Sequence, residues 1–316
     1  MLLYILRRLI YAIPIALGVS VVCFSLVHIG PGDPITAMLG ENATEEVVNR
    51  VRAEYGLDRP LPVQYAIWLG KAATGDFGSS IITRRSVASE IGPAILNSLL
   101  LAVGGSILGF AAGLVLGSIA GYLQGRPADR LVTGLAITGV SIPHYWLAIV
   151  LVIIFSVELG WLPSLGMGPG GSGAFAFDWA HLQHLILPTI ALSVIPAGIV
   201  TRTVRGNVAE LLNQQFVEAL RSKGLTERKV FRHVAKNAAP QVLAVMGLQL
   251  GYLLGGSILI ETVFQWPGTG LLLNNSIFQR DLPVLQGTIL VLALIFVSLN
   301  LLVDIVQATL DPRIKR

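Results

Sequence analysis

Few side chains in this 316-residue chain are placed to do chemistry. Asp178, His181 and His184 stand three residues apart, so one helix would bring a carboxylate and two imidazoles together, a ligand set that can hold a transition metal. Asp304, with Asn300 one turn before it, is an acid at the end of an apolar run. It reads either as part of a proton relay or as a boundary carboxylate bonded to a neighbouring helix. Cys23 is the only cysteine, which excludes an internal disulfide and a cysteine-based zinc site. No Gly-x4-Gly-Lys-Ser/Thr run occurs, so the chain offers no nucleotide-binding loop of its own. The densest polar feature is instead a basic loop, Phe216-Val-Glu-Ala-Leu-Arg-Ser-Lys-Gly224, running on to Asn237-Ala-Ala-Pro240.

The elements around that loop are apolar. Residues are 53% hydrophobic and 13% charged, against about 25% charged in a soluble domain. Runs free of Asp, Glu, Lys and Arg cover 9–32, 91–125, 131–157, 179–201, 237–260 and 282–303. At about 1.5 Å per residue, roughly 20 residues cross the hydrocarbon core, so each run is long enough to span. Without water to satisfy the backbone, the spans must be helical. The segment 262–279 is also uncharged, but Pro267, Gly268, Gly270 and Asn274-Asn275 make it a loop or short re-entrant helix. The run after Arg7-Arg8 is too long for a signal peptide and reads as a retained first helix.

Lysine and arginine set the orientation. With the N-terminus inside, Arg7, Arg8, Arg126, Arg130, Arg202, Arg205, the 221–236 cluster, Arg313, Lys315 and Arg316 share the cytoplasmic side. Of the basic residues opposite, only Arg280 lies outside the long loop 33–90, which the rule governs weakly. Both termini are therefore expected in the cytoplasm. The net charge of +4 reflects topology, not nucleic-acid binding.

Two blocks follow. Residues 1–92 hold the first helix and a long extracytoplasmic loop, irregular at Gly30-Pro-Gly-Asp-Pro34 and helical in character through Thr44–Tyr55. Residues 93–310 hold five spans, with a tail at 311–316. Glycines 104, 105, 109, 113, 117 and 121 allow close helix packing. Between spans four and five, Val208, Leu211, Leu212, Phe216, Ala219 and Leu220 form an apolar helical stripe. Gly224 is placed to end that helix and Thr226 to cap the next. Val230, Phe231, Val234, Ala235 and Ala238 continue the pattern, and Pro240 opens span five. The module at about 208–238 either packs on the chain's own helix ends and anionic lipid, or fills a groove on another subunit.

Glu218-Ala219-Leu220, three residues and Gly224 resemble the Glu-Ala-Ala…Gly (EAA) signature of permease subunits of binding-protein-dependent ABC importers. The dipeptide/oligopeptide/nickel branch is resembled by Ala219–Leu225 and Arg232–Pro240. Pro31-Gly-Asp-Pro34, Gly56–Tyr65, Gly75-Asp-Phe-Gly78, Ser141-Ile-Pro143, Trp266-Pro-Gly-Thr-Gly270, Arg280-Asp-Leu-Pro283, Asn300–Asp304 and Asp311-Pro-Arg-Ile314 add to it. The likeness runs along the whole chain and is to the first of that branch's two permeases. It implies an all-α polytopic membrane protein of the bacterial inner membrane, with six transmembrane helices in the type I ABC importer fold. It implies a non-catalytic permease that forms the path for di- or oligopeptides, with glutathione, nickel or a metallophore as alternative cargo.

The partners implied are a homologous second permease, two ATP-binding subunits that carry ATP and magnesium, an extracytoplasmic binding protein and lipid. No cofactor or metal belongs to this chain. On this resemblance Phe216, Glu218, Ala219, Leu220, Lys223 and Gly224 couple to the ATPase, where small side chains permit close approach and the glycine a sharp turn. Glu261, Trp266, Gly268 and Gly270 are candidates for an outer gate or binding-protein contact. Trp266 also reads as an interfacial anchor, and Glu158 and Glu261 as membrane-boundary markers. His184 before Leu-Ile-Leu-Pro188 resembles a family element opening span four. Leu220 stands in place of alanine at the signature's third residue, and Ile91–Ser98 lacks the Pro-Ala-Thr often found there, which with Ser156–Pro163 resembles glutathione and nickel or metallophore relatives as much as dipeptide ones. The rival class is an ion-coupled transporter using Asp304, which the scarcity of other intramembrane charges disfavours.

Overall fold

The computed structural model describes residues 2–29, 44, 46, 58–171 and 175–310. Most of the loop segment 30–57, including Pro31–Pro34 and most of Thr44–Tyr55, lies outside the described residues, as does the tail at 311–316. The described chain is helical, with one isolated bridge pairing Ser79 and Ser86.

The helices in chain order are α1 (Leu2–Ile29), α2 (Leu61–Ala73), α3 (Val87–Tyr122), α4 (Pro127–Ser141) and α5 (His144–Leu151). They continue with α6 (Trp179–Leu212), α7 (Gln215–Ser222), α8 (Glu227–Val263), α9 (Thr269–Gln279) and α10 (Leu282–Leu310). Among the described residues, α3, α6 and α10 as far as Ile305 are each long and apolar enough to cross a membrane. Two bent pairs pass the same test, α4 with α5 and the two parts of α8, giving up to five spans. In α1 the described apolar stretch is Ile13–Ser25.

Four elements differ from the sequence expectation. The 131–157 run is not one straight helix: α4 and α5 meet at 99°. Ile142 is extended (φ −81°, ψ 125°) because the ring of Pro143 excludes it from the helical region. A π-helical turn, Val152–Glu158, follows α5. Pro240 does not open a helix, since α8 runs through it from Glu227; a proline removes one rung of the ladder while its neighbours remain. The bend in α8, 48°, falls instead between Leu253 and Gly255, where a glycine pair weakens the helix. Finally, α2 lies inside the long loop 33–90, and Pro62 falls in its first turn, where a missing amide hydrogen costs nothing. Within the segment 262–279, expected as a loop or short re-entrant helix, residues 269–279 form a short helix, α9.

The chain divides into two compact units, Ser98–Trp266 with Leu299 onward, and Leu2–Asn97 with Pro267–Ser298. The second unit is tied by polar contacts. Tyr65 meets Ser20 at 2.7 Å and stacks edge-on against Phe24. Asp281 accepts from the Ser80 hydroxyl and from the amide of Ile81 at 3.3 Å. Val87, Ile91 and Val284 pack into a small core.

The first unit is organised by contact between α3 and α6. A Cβ on Gly113 would stand 2.7 Å from Val200 Cβ, and one on Gly117 only 2.6 Å from the Thr201 carbonyl oxygen. Only glycine lets two helix backbones approach this closely. Gly139 on α4, whose added Cβ would meet Val194 at 3.0 Å, brings a third helix to α6. The expected glycine stripe is therefore the packing seam. Gly117→Ala should lower the detergent melting temperature by overpacking, at a cost of about 1–3 kcal/mol. Gly134→Ala, whose new methyl meets nothing within 4 Å, should leave it unchanged in the same size-exclusion melt.

Candidate docking site

The basic loop is a folded extension of two long helices. α6 ends at Leu212, and Asn213 turns the chain by donating its side-chain amide to the Ala209 carbonyl at 2.9 Å. This turn interrupts the stripe expected to run unbroken from Val208 to Leu220. It resets the helical phase, so Val217 becomes the fully buried residue of α7, with Phe216 and Leu220 half-buried beside it. Ala219, counted in the stripe, is exposed, as is Ala235 on α8. Sequence spacing alone missed Val217 because it assumed one continuous helix.

The end of α7 is a Schellman motif. Gly224 has φ +78°, its amide donates to Arg221 O at 2.8 Å, and Leu225 N donates to Leu220 O at 3.2 Å. Leu220 and Leu225 both pack against the same core. Gly224 thus ends α7 as the sequence predicts. Thr226 occupies the cap position of α8, but its side chain makes no capping bond. The core beneath combines Val200, Val204 and Val208 of α6, Val217 of α7, and Val230, Val234, Ala238 and Val242 of α8.

The opposite face of α7 is polar and open: Glu218, Ala219, Lys223 and Gly224 are all exposed. Beside it, Arg221 donates through Nε to Glu227 at 2.9 Å, and Tyr122 donates its hydroxyl to the same carboxylate at 3.2 Å. The Arg221 hydrogen bond holds the Glu227 carboxyl below its usual range, and Glu227 in turn raises the Arg221 guanidinium. This exposed pair fixes α7 against the start of α8 and leaves Glu218 and Lys223 at the surface.

Just before the loop, Arg205 of α6 grips Asp129 of α4 in a two-pronged pair at 3.0 and 2.9 Å. Asp129 also accepts from Gly125 N at 2.9 Å and from Thr133 at 3.2 Å. Its side chain is 4% exposed, that of Arg205 34%. One carboxylate therefore joins the turn after α3, the start of α4 and the end of α6. Neither residue was singled out as a pair in the sequence, since 76 residues separate them.

The remaining candidates are distributed. Asp178 caps α6 by accepting from His181 N at 2.9 Å and pairs with the His181 ring at 2.7 Å. His184 turns to the Leu165 carbonyl at 3.0 Å, so the three spaced residues do not converge on one point. Glu158 is exposed and Asp304 half-buried. Glu261 is not at a boundary surface: it is fully buried and accepts from the Ser98 hydroxyl at 2.7 Å. Trp266 is likewise fully buried, 6.2 Å from the Phe175 ring and within a core with Leu187, Ile260 and Phe264. Burial overturns the interfacial-anchor reading of Trp266. Gly268 caps α9 and Gly270 lies buried in its first turn.

Residues 113–316 match the family described as binding-protein-dependent transport system inner membrane component, and residues 1–85 match its N-terminal counterpart. The whole chain is 39% identical to the dipeptide transport system permease protein DppB of Alkalihalophilus pseudofirmus, covering 100% of it. It is 40% identical to the glutathione transport system permease protein GsiC of Salmonella typhimurium, covering 99% of that protein. Among solved structures, an inward-facing MetNI methionine ABC transporter chain aligns with a TM-score of 0.57 at 19% identity, over 70% of this chain and 96% of that one; the likeness is one of fold.

Replacing Asp129 with Asn should cost on the order of 2 kcal/mol, less than for a fully enclosed pair because Arg205 is partly solvated. The check is a lowered melting temperature in detergent with no change in membrane insertion.

Proposed function

The chain belongs to the binding-protein-dependent transport system inner membrane component family, and from that premise we propose that it forms half of the path by which an ATP-driven importer brings short peptides inward. It is a multi-pass ABC importer permease subunit. In this reading α1 completes six spans, both termini face the cytoplasm, and the chain itself hydrolyses nothing. Its partners are a homologous second permease, two ATP-binding subunits holding ATP and magnesium, and an extracytoplasmic binding protein.

The observation that carries the reading is α7. A short helix is seated by Val217 on the chain's own valine core and closed by a glycine turn, yet its other face stays open. That arrangement suits a rigid knob set into a cleft of an ATPase. Phe216 and Leu220 seat the knob, while Glu218, Ala219, Lys223 and Gly224 form the face that meets the partner. Motion of the ATPases would reach α6 and α8 directly, because α7 shares its core with both.

Peptide cargo rests on the relatives, one named for dipeptides and one for glutathione, itself a tripeptide thiol. Both solutes offer amide and carboxylate groups, and the two identities do not rank them.

Purification of the tagged chain from its own operon, followed by native mass spectrometry, should recover a second permease and two ATPases. A homo-oligomer without ATPase would overturn the assignment. Gly224→Trp, which forces a bulky side chain into a left-handed backbone at the knob's edge, should abolish substrate-stimulated ATP hydrolysis while the chain still inserts. Undiminished stimulation in that variant would remove α7 from the coupling role.

A further inference from the structure

Inside a bilayer a phenol hydroxyl must find a partner or reach the headgroups. Tyr122 satisfies this through Glu227. Tyr145 and Tyr252 do not. Tyr145 lies near the middle of the charge-free run 131–157 and Tyr252 within 237–260. They are 46% and 71% exposed, and among the described residues neither hydroxyl has a partner in the chain.

The two tyrosines belong to one place. Tyr145 is the second residue of α5, beside the 99° elbow at Ile142–Pro143, and Tyr252 adjoins the 48° bend of α8. The elbows abut. His144 Nε2 stands 3.9 Å from the position of a Cβ on Gly256, which is one helical turn along α8 from Tyr252. That nitrogen is buried against Gly256, so His144 packs one elbow on the other and does not face outward. Two exposed phenols thus flank the point where two broken helices meet.

Each feature is costly in a purely lipid-facing wall. A hydroxyl left without a partner is destabilising when desolvated. Broken helices are tolerated at membrane depth where they line a cavity. Ionisable groups at this depth mark solute pathways. A short peptide supplies what the wall lacks, namely carboxylate and amide oxygens to accept from phenol O–H groups.

We propose that Tyr145 and Tyr252, flanking the point where His144 packs the two elbows together, belong to the solute-contacting wall of the translocation path, their phenols donating hydrogen bonds to the terminal carboxylate and amide oxygens of a passing peptide. This rests on the peptide-importer reading above. Lipid, or a helix of the second permease, is the competing occupant of the same surface.

The test uses the whole importer, expressed from its own operon and reconstituted in phospholipid vesicles with its binding protein. Radiolabelled alanyl-alanine and radiolabelled glutathione are the probes, and Tyr252→p-benzoylphenylalanine provides a photo-crosslinker. Illumination during ATP turnover should attach the transported probe to this chain, and excess unlabelled probe should suppress the label. Adducts confined to lipid or to the second permease overturn the proposal. Tyr252→Phe should raise the KM for uptake about tenfold, the loss of one hydrogen bond of about 1.4 kcal/mol; an unchanged KM also overturns it. If the unmodified importer takes up neither probe, the peptide reading itself fails. If it takes one up without label, this inference alone fails.

Discussion

Close contact between α3 and α6 is the constraint on which the first unit depends. In lipid, two helices gain nothing by hiding apolar surface from each other, because the tails around them are equally apolar. What remains is dispersion, which grows only when backbones come within touching distance. Gly113 and Gly117 permit that distance against Val200 and Thr201, with no room for a single added carbon. α6 is thereby fixed along the stretch that carries Val200, Val204 and Val208 towards the loop. The loop core is an extension of the seam, and the knob formed by α7 inherits its rigidity.

The Asp129–Arg205 pair fixes a third helix at the same end. An ion pair this enclosed is poor evidence for added stability, since desolvation offsets much of the attraction. Its value is geometric. The planar fork of the guanidinium accepts one orientation of the carboxylate, and the same carboxylate holds the Gly125 amide and the Thr133 hydroxyl. α4 therefore cannot rotate independently of α6 without leaving a nearly buried charge unmatched.

Much of this was legible in the sequence. Hydropathy gave the apolar helices, the glycine spacing gave the seam, and Gly224 gave the turn that ends α7, because each depends on local backbone physics. Three things were not legible. The phase of α7 depends on Asn213 bonding back to Ala209, which no apolar period reports, and so Val217 went unnoticed while Ala219 was counted inward. The burial of Glu261 and Trp266 depends on Ser98 and Phe175, far away along the chain. Pro143 and Pro240 look alike in sequence, yet only Pro143 breaks its helix. It comes straight after the extended Ile142, whereas Pro240 sits within a ladder whose other rungs persist.

The placement of the breaks connects loop to membrane. α8 begins at Glu227, held beside α7 by Arg221, and bends after Leu253. α4 begins beside Asp129, held by Arg205 of α6, and breaks at Pro143. Each broken helix is thus anchored at one end to the elements that carry α7 and is soft at its other. The soft ends meet, with His144 against Gly256. A stiff rod transmits displacement and a bend absorbs it as rotation, so under the proposed coupling role a shift of α7 would be expressed where the two bends touch and not along the glycine seam. Hinges absorb conformational change where the backbone ladder is already interrupted, and here those positions lie beside the exposed phenols of Tyr145 and Tyr252.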